Sequence, residues 1–178
     1  IGTAKVALPN GAETTRHEPL GKLGIRGVQV SGNWRRGEYT LFGNYTYTDA
    51  ANVEDAWGRS IDVPIGDIAR HRFNVGVNAT FVRQFNLNLR LNRVGKRRTG
   101  KSTTVEDNPF NAIDSYTTIN GALTYEVPLE NLDLQLIFSN LLNAEYFHPG
   151  VRSADGKILA ARLPQNERSI MLRALFAF

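Results

Sequence analysis

One segment of the chain satisfies a phosphate-binding pattern in full. Residues 95–102 read Gly-Lys-Arg-Arg-Thr-Gly-Lys-Ser, which fits G-x-x-x-x-G-K-S. In nucleotide-binding proteins this loop follows a buried parallel strand and opens a helix, whose N-terminal amide groups hold the phosphates. Here the preceding stretch alternates with asparagines, and Thr103, Thr104, Val105 and Pro109 make a poor start for a helix. We therefore interpret the segment as a basic loop and predict no nucleotide site.

Other residue types that perform chemistry do not form catalytic patterns. The three histidines, His17, His71 and His148, are scattered and lack the spacing of metal ligands. Acidic pairs at 54–55 and 106–107 fall in hydrophilic stretches, and no serine lies in a Gly-x-Ser-x-Gly elbow. We therefore expect no enzymatic activity, no metal site and no cofactor.

Two hydrophilic stretches carry side chains suited to an anionic ligand. The candidates are Lys96, Arg97, Arg98 and Lys101 in the first stretch, and Tyr146, Phe147, His148 and Arg152 in the second. Clustered cations raise the local concentration of an anionic ligand, and aromatic rings stack on planar groups. Other interpretations stay open: the cations bind lipopolysaccharide phosphates or are merely solvated, and the second stretch serves loop packing.

The charge of the chain is basic but dispersed. The net charge is +4 and the pI is about 9.6. Because the basic residues are spread over loops and alternating positions rather than along one surface, we predict no nucleic-acid partner.

These candidates are separated by segments in which apolar and polar side chains alternate. Successive side chains of a strand point to opposite faces, so alternation predicts strands with one apolar face. The predicted strands are residues 24–34, 39–48, 72–81, 85–92, 116–126, 132–139 and 169–178. The cleanest alternation is that of residues 85–92. The last strand carries a strictly alternating apolar stripe, which consists of Ile170, Leu172, Ala174, Phe176 and Phe178.

The connections between these strands are alternately short and long. Short turns fall near residues 36, 83 and 128, whereas the other connections run to about twenty residues. Mean hydropathy is −0.30, and no apolar run is long enough for a membrane helix. The sequence therefore predicts an all-β, antiparallel transmembrane β-barrel. Arg72 and Arg90 fall on the polar face and are predicted to face the lumen, where they pair with carboxylates.

Seven strands are an odd number for a bacterial barrel, so we expect the chain to be the C-terminal segment of a larger one. Ile1 to Leu8 makes a poor eighth strand, since its stripe is weak and Pro9 cuts it short. The chain also begins at Ile1 without an initiator methionine or leader, from which we expect processing or truncation. We predict one barrel segment over residues 1–178, with 1–20 as an external loop or strand remnant.

Several motifs resemble those of a known family. They are Gly24-Ile25-Arg26-Gly27-Val28 leading to Trp34, the run from Asn44 to Ala50, Arg70 to Asn74, Asn140-Leu141-Leu142-Asn143 with Tyr146, and the terminal Phe178. In order and spacing they are similar to the C-terminal barrel of TonB-dependent outer-membrane receptors, over about residues 21–178. Leu142 departs from the family, which more often has phenylalanine there.

The resemblance implies a barrel of about 22 strands whose lumen is filled by an N-terminal plug, which has no counterpart in this chain. It implies a Gram-negative outer-membrane receptor that takes up a scarce nutrient, most often a ferric siderophore. The implied partners are outer-membrane lipid and lipopolysaccharide, the plug and remaining strands, the TonB energy-coupling complex and the ligand. Two alternatives remain: a self-contained small barrel with a structural or adhesive role, and a soluble all-β binding module.

Overall fold

The computed structural model is built of strands. It describes residues 2–7, 9, 11–18, 22–54, 60–64, 67–98, 112–128, 131–150 and 162–176. The strands are β1 (Gly2–Ala7), β2 (Glu13–Glu18), β3 (Lys22–Arg36), β4 (Tyr39–Glu54), β5 (Ser60–Pro64), β6 (His71–Phe81), β7 (Phe85–Val94), β8 (Arg97–Arg98), β9 (Ala112–Ile113), β10 (Tyr116–Val127), β11 (Leu132–Ser139), β12 (Phe147–Pro149), β13 (Arg162–Pro164) and β14 (Ser169–Phe176).

The chain divides into two compact units. The first comprises Ile1–Arg26 and Asp49–Ile65, and contains the β1–β2 pair and the pairing of β5 with the end of β4. Within it, Lys22 Nζ lies 3.4 Å from Glu54 Oε1. The second comprises Gly27–Thr48 and Gly66–Phe178 and contains most of the large sheet. The candidate binding residues of the sequence all belong to the second unit.

The large sheet is a meander in which strands pair with their sequence neighbours. Its order is β14-β11-β10-β7-β6-β4-β3, with β5 added on β4, and every pairing with a described register is antiparallel. The seven strands on this path correspond one for one to the seven predicted from alternation. The predicted antiparallel all-β fold is confirmed.

The prediction of long loops was wrong in one respect, because parts of these connections form short strands. β4 continues to Glu54, well past the predicted end at Thr48, because β5 supplies it with backbone partners. The next two long connections contain the hairpins β8–β9 and β12–β13. β1 is a strand despite its weak stripe, yet it pairs with β2 rather than joining the large sheet. β2 escaped prediction since its sequence, Glu-Thr-Thr-Arg-His-Glu, is polar on both faces.

Register sorts the side chains of the second unit into an apolar and a polar face. Paired positions that run across the sheet form rows, two of which consist of apolar or aromatic residues and glycine. These are Leu41, Val77, Leu89, Gly121, Phe138 and Ile170, and then Tyr39, Ala79, Leu87, Leu123, Leu136 and Leu172. Intervening rows are polar, for example Asn44, Asn74, Asn92 and Thr118. The predicted division of each strand into two faces therefore extends over the sheet.

The apolar face is not covered by a second layer of protein. Among the described residues, the buried apolar side chains are Ala50, Ala69, Ala79 and Ile113. Three of these are alanines, and only the isoleucine is large. By contrast Leu172 is 73% exposed and Val28 is 63% exposed. A soluble β-sandwich packs such faces against each other, and exposed apolar patches of this extent mark a membrane or partner surface. The arrangement fits a sheet whose apolar face meets lipid.

Gly121 provides a test of how closely the central strands pack. A Cβ atom there would collide with the backbone oxygen of Asn88 and lie 2.8 Å from Cζ of Phe138. Because a backbone oxygen in the next strand cannot move aside alone, we expect Gly121→Ala to destabilise the protein by about 1–3 kcal/mol. Urea unfolding of the full-length gene product in detergent measures this.

Gly32 is the matched control, since a Cβ there would meet nothing within 4 Å. Gly32→Ala should leave the unfolding midpoint unchanged. Equal midpoints for the two variants would show that the β7–β10 spacing is looser than the structure has it.

Candidate functional site

Two of the long connections are closed at their base by hairpins that meet near the start of β10. β8 pairs with β9 through Arg97 with Ile113 and Arg98 with Ala112, and β12 pairs with β13. The side chains of Arg97, Tyr116, Tyr146 and His148 gather there, and we call them the loop-base cluster. Three of the four were sequence candidates, drawn from two different stretches, and the structure brings them together.

Arg97 joins the two hairpins from a buried position. Its side chain is 8% exposed, and its Nη2 donates a hydrogen bond to the backbone oxygen of Phe147 at 3.1 Å. Its guanidinium carbon lies 5.8 Å from the ring centroid of Tyr116, within the range of a cation–π interaction. Its Nε atom is buried and has no partner among the described residues. Arg97 thus links the connection between β7 and β10 to the connection between β11 and β14.

The rings of the cluster contact one another at an angle, tilted or edge-on. The centroids of Tyr116 and Tyr146 are 4.4 Å apart, and those of Tyr146 and His148 are 5.9 Å apart. The Tyr116 hydroxyl lies 3.3 Å from Nε2 of His148. Beside the cluster, the guanidinium of Arg162 lies 4.2 Å from the Phe147 ring centroid. Aromatic rings with guanidinium groups beside them can bind a planar, anionic ligand by ring contact and charge.

The environment of His148 favours its neutral form. Partial burial, and secondarily the positive charge of Arg97, lower the pKa of His148 below its usual value. The imidazole is therefore uncharged at neutral pH, and the ring nitrogen near Tyr116 can share a proton with that hydroxyl. The positive charge at the loop bases comes from the arginines.

The other sequence candidates are placed differently. Lys96 points away with 67% of its side chain exposed, and its Nζ lies 3.7 Å from Asp114 Oδ1. Arg98 contributes its backbone to the β8–β9 pair. Lys101 and Arg152 lie outside the described residues. Of the phosphate-loop pattern, Arg97 and Arg98 form strand β8, and its last four residues, from Thr99, also lie outside the described residues.

Arg72 and Arg90 both lie on the polar face, as their parity predicts. Arg72 belongs to the row that includes Thr46, Val94 and Tyr116. Arg90 lies further down, with its guanidinium carbon 5.7 Å from the Phe42 ring centroid. That these residues face a lumen stays a prediction.

A shallow hollow of about 430 Å³ opens on the polar face beside Arg90. Its lining includes Phe42, Asn44, Asn74, Arg90 and Asn92. Nδ2 of Asn74 donates to Oδ1 of Asn44 at 2.7 Å. Amide groups both donate and accept hydrogen bonds, so this wall suits neutral polar groups, with one cation in their midst.

The C-terminal stripe lies where alternation placed it. Ile170, Leu172, Ala174 and Phe176 share one face of β14, and Phe178 lies outside the described residues. Ile170 and Phe176 are 62% and 63% exposed. The role of the stripe in barrel assembly stays a prediction.

Asn140 is a structural centre of the site that sequence reasoning did not single out. It is 3% exposed and follows β11 with a φ of 48°. Its side chain exchanges hydrogen bonds with the backbone of Ala144 and donates to the oxygen of Asn166 at 3.2 Å. Its own backbone nitrogen donates to Oδ1 of Asn120 at 2.9 Å. Asparagine tolerates left-handed backbone, so its place just after a strand was the available signal.

Tyr116 was also missed as a site residue, because it reads as the first residue of a strand. Its role depends on Arg97 and His148, which are distant in sequence.

Within the described residues, no helix has the length and apolar composition to cross a membrane. The same part of the chain holds no group of three or more acidic or histidine side chains placed to bind a metal ion.

Comparison with known families gives a match over most of the chain. The family described as "TonB dependent receptor-like, beta-barrel" matches residues 2–141. No curated protein sequence matches the chain.

Solved structures with the same fold are longer proteins named as receptors or transporters. The ferric-catecholate import receptor Fiu from Escherichia coli K12 is 20% identical, with a TM-score of 0.66 over 96% of this chain and 22% of Fiu. The siderophore receptor PiuA from Acinetobacter baumannii is 17% identical, with a TM-score of 0.66 over 97% of this chain and 24% of PiuA. The copper transporter OprC is 13% identical, with a TM-score of 0.61 over 99% of this chain and 26% of OprC. The chain thus spans about a quarter of the length of these structures.

Proposed function

The chain belongs to the TonB-dependent receptor-like β-barrel family, and from this premise we propose that it forms part of a receptor for energy-coupled uptake of a ferric siderophore. Members of this family are receptors and transporters of the outer membrane. The proposed location is the outer membrane of a Gram-negative bacterium, crossed by the seven long strands. The proposed role is binding and transport, and we assign the chain no chemical reaction.

The observation that carries the proposal is the sheet with one uncovered apolar face and one polar face. Lipid-facing and lumen-facing residues alternate in this way along every strand of a membrane barrel. Rows such as Leu41 to Ile170 supply the lipid face, and the amide-rich rows supply the wall of a passage. Family membership and face pattern therefore support the same location.

The partners follow from the share of the relatives that the chain covers. Because the chain matches about a quarter of each relative, we propose that further strands complete the barrel and that a plug fills it. Coupling to the TonB complex would act through that plug. The self-contained small barrel is the alternative, and the size of the native gene product in outer-membrane fractions separates the two.

The loop-base cluster is the proposed ligand contact of this chain. Ferric siderophores present planar chelating groups and, in many cases, net negative charge, which match the aromatic rings and guanidinium groups of the cluster. Tyr146 and His148 are accessible members of the cluster, whereas buried Arg97 holds it together and contributes its charge. Of the solved relatives, one is named a ferric-catecholate import receptor and another a siderophore receptor. These names support a ferric siderophore as the ligand.

Tyr146→Ala tests the ligand contact. Loss of the Tyr146 ring, which contacts Tyr116, should weaken binding of the cognate ferric chelate about three- to tenfold, since an aromatic contact with the ligand contributes about 0.5–1.5 kcal/mol. The measurement is titration of the full-length gene product in detergent with ferric catecholate, hydroxamate and citrate chelates, and with copper. Uptake of radioactive iron by a deletion strain complemented with each variant follows.

Tyr125→Ala is the matched control. This substitution also removes a tyrosine ring that contacts another ring, since the centroids of Tyr125 and Phe85 are 4.6 Å apart. Tyr125, however, lies at the end of the strands near the short turns. Chelate affinity should be unchanged in this variant. Equal loss in both variants would remove the cluster as ligand contact. Binding of copper without any ferric chelate would refute the siderophore assignment.

A further inference from the structure

Arg93 interrupts the apolar face of the large sheet near the end of β7. In β7 the apolar face carries Phe85, Leu87, Leu89 and Leu91, and strand geometry places Arg93 next on the same face. Its row partners are Phe73 on β6 and Thr117 on β10, and it is exposed. An arginine facing lipid is costly unless it lies at headgroup level and meets an anion.

The surroundings of Arg93 are those of a membrane interface. The neighbouring row toward the middle of the strands, Gly43, Val75, Leu91 and Ile119, has no polar side chain. Tyr45 lies in the row of Arg93, and its hydroxyl lies 2.8 Å from Nδ1 of His71. Amphipathic rings of this kind concentrate where hydrocarbon gives way to headgroups. This is also the end of β7 that leads into a long connection, whereas the other end follows the short turn at 82–84.

The guanidinium of Arg93 is held in place by two hydroxyls. Nη1 donates to Oγ1 of Thr117 at 2.8 Å, and Nη2 donates to Oγ of Ser115 at 3.2 Å. A guanidinium carries more N–H groups than these two bonds use, and each accepting hydroxyl still has its own proton to donate. Three groups therefore present hydrogen-bond donors at one place.

No carboxylate of the described residues forms an ion pair with Arg93. Asp114, the acid beside Ser115 in sequence, instead lies 3.7 Å from Nζ of Lys96. The site has positive charge and several donors, and its acceptors are uncharged. Phosphate, with several acceptor oxygens and negative charge, is the complementary group, and arginine suits it through its planar fork.

We propose that Arg93, Ser115 and Thr117 bind a phosphate group of a phosphorylated glycolipid in the outer leaflet. The lipid rather than a soluble phosphate is the occupant because the site opens onto an apolar surface, where Phe73 is 43% exposed beside it. Acyl chains would lie along the apolar rows while the headgroup meets the guanidinium. The inference rests on the proposed outer-membrane location and not on the identity of the transported ligand.

Native mass spectrometry of the full-length gene product in detergent tests the site. Diphosphoryl lipid A should remain bound to the wild type, and Arg93→Gln should weaken its retention about tenfold or more, since bonds to a charged partner are lost. Thr117→Val keeps the charge but removes one aligning hydroxyl, and a weakening of about threefold is expected. Arg83→Gln, which removes the same charge at the short turn after β6, should retain the lipid as the wild type does.

The outcomes separate the possible sources of phosphate. Inorganic phosphate that displaces lipid A at equal concentration would overturn the lipid assignment. Unchanged retention by Arg93→Gln would overturn the site, and if that variant does not fold, unchanged retention by Thr117→Val decides in the same way. Ferric-chelate binding is measured on the same preparations. A protein that binds chelate but not lipid A contradicts this inference alone, and one that binds lipid A but no chelate contradicts only the proposed ligand.

Discussion

Asn140→Ala is expected to destabilise the full-length protein by about 3–5 kcal/mol. The substitution removes three side-chain hydrogen bonds and leaves the backbone groups of Ala144 and Asn166 without partners in a partly buried place. Alanine also tolerates the φ of 48° at this position less well than asparagine does. The segment after β11 should detach first, and with it the cluster residue Tyr146. Urea unfolding in detergent, followed by tryptophan fluorescence, measures the stability change.

Asn143→Ala controls for the backbone conformation. Asn143 has a φ of 51° and is exposed, and its Oδ1 accepts one hydrogen bond, from the backbone nitrogen of Arg168 at 2.9 Å. The same substitution there should cost only about 1–2 kcal/mol. The difference between the two variants isolates the buried network. If both variants unfold at the same urea concentration, the network contributes nothing beyond the turn.

Leu89→Arg is expected to cost about 2–4 kcal/mol and to reduce insertion into membranes. Leu89 lies on the apolar face, four residues from Phe85 and four from Arg93, or about 13 Å along the strand from each. It therefore lies near the middle of the apolar band, where a lipid-facing arginine is most costly. Urea-dependent folding into lipid vesicles, read from heat-modifiable electrophoretic mobility, measures the effect.

Asn88→Arg tests the same change on the other face at nearly the same depth. The side chain of Asn88 bonds to Asn78 across the polar face, and native Arg90 shows that a cation is accommodated there. The expected cost is about 1 kcal/mol, for the lost amide bond. Equal defects in the two variants would contradict the assignment of faces, and so would a larger defect in Asn88→Arg.

Alternation was sufficient to predict the strands that build the sheet, because one apolar face fixes both the period and the register. A shift of one residue in β7 would bring Leu89 to the polar face and Asn88 to the apolar one. The short strands were not predictable in the same way. β8 has two residues and β12 has three, too few for a period, and their pairing depends on partners that lie well along the chain.

The candidate site was predictable in its residue types and not in its geometry. The basic and aromatic stretches indicated Arg97, Tyr146 and His148, yet nothing local showed that Arg97 would be buried against the backbone of Phe147. Asn140 entered the sequence analysis only within a family motif, since its partners are backbone groups that sequence does not reveal. Arg93 could have been found by continuing the apolar parity of β7 past Asn92, where the predicted strand stopped too early.

The hairpins β8–β9 and β12–β13 have a consequence for how such a receptor can change over generations. Each hairpin pairs two short strands of one connection, so the described ends of that connection are held together by backbone bonds. Lengthening a connection between fixed ends costs little free energy, since closure entropy grows only logarithmically with length. Insertions, deletions and substitutions beyond the hairpins can therefore accumulate without disturbing the strands below. The connections can diverge in sequence in this way while the strands of the large sheet are inherited unchanged.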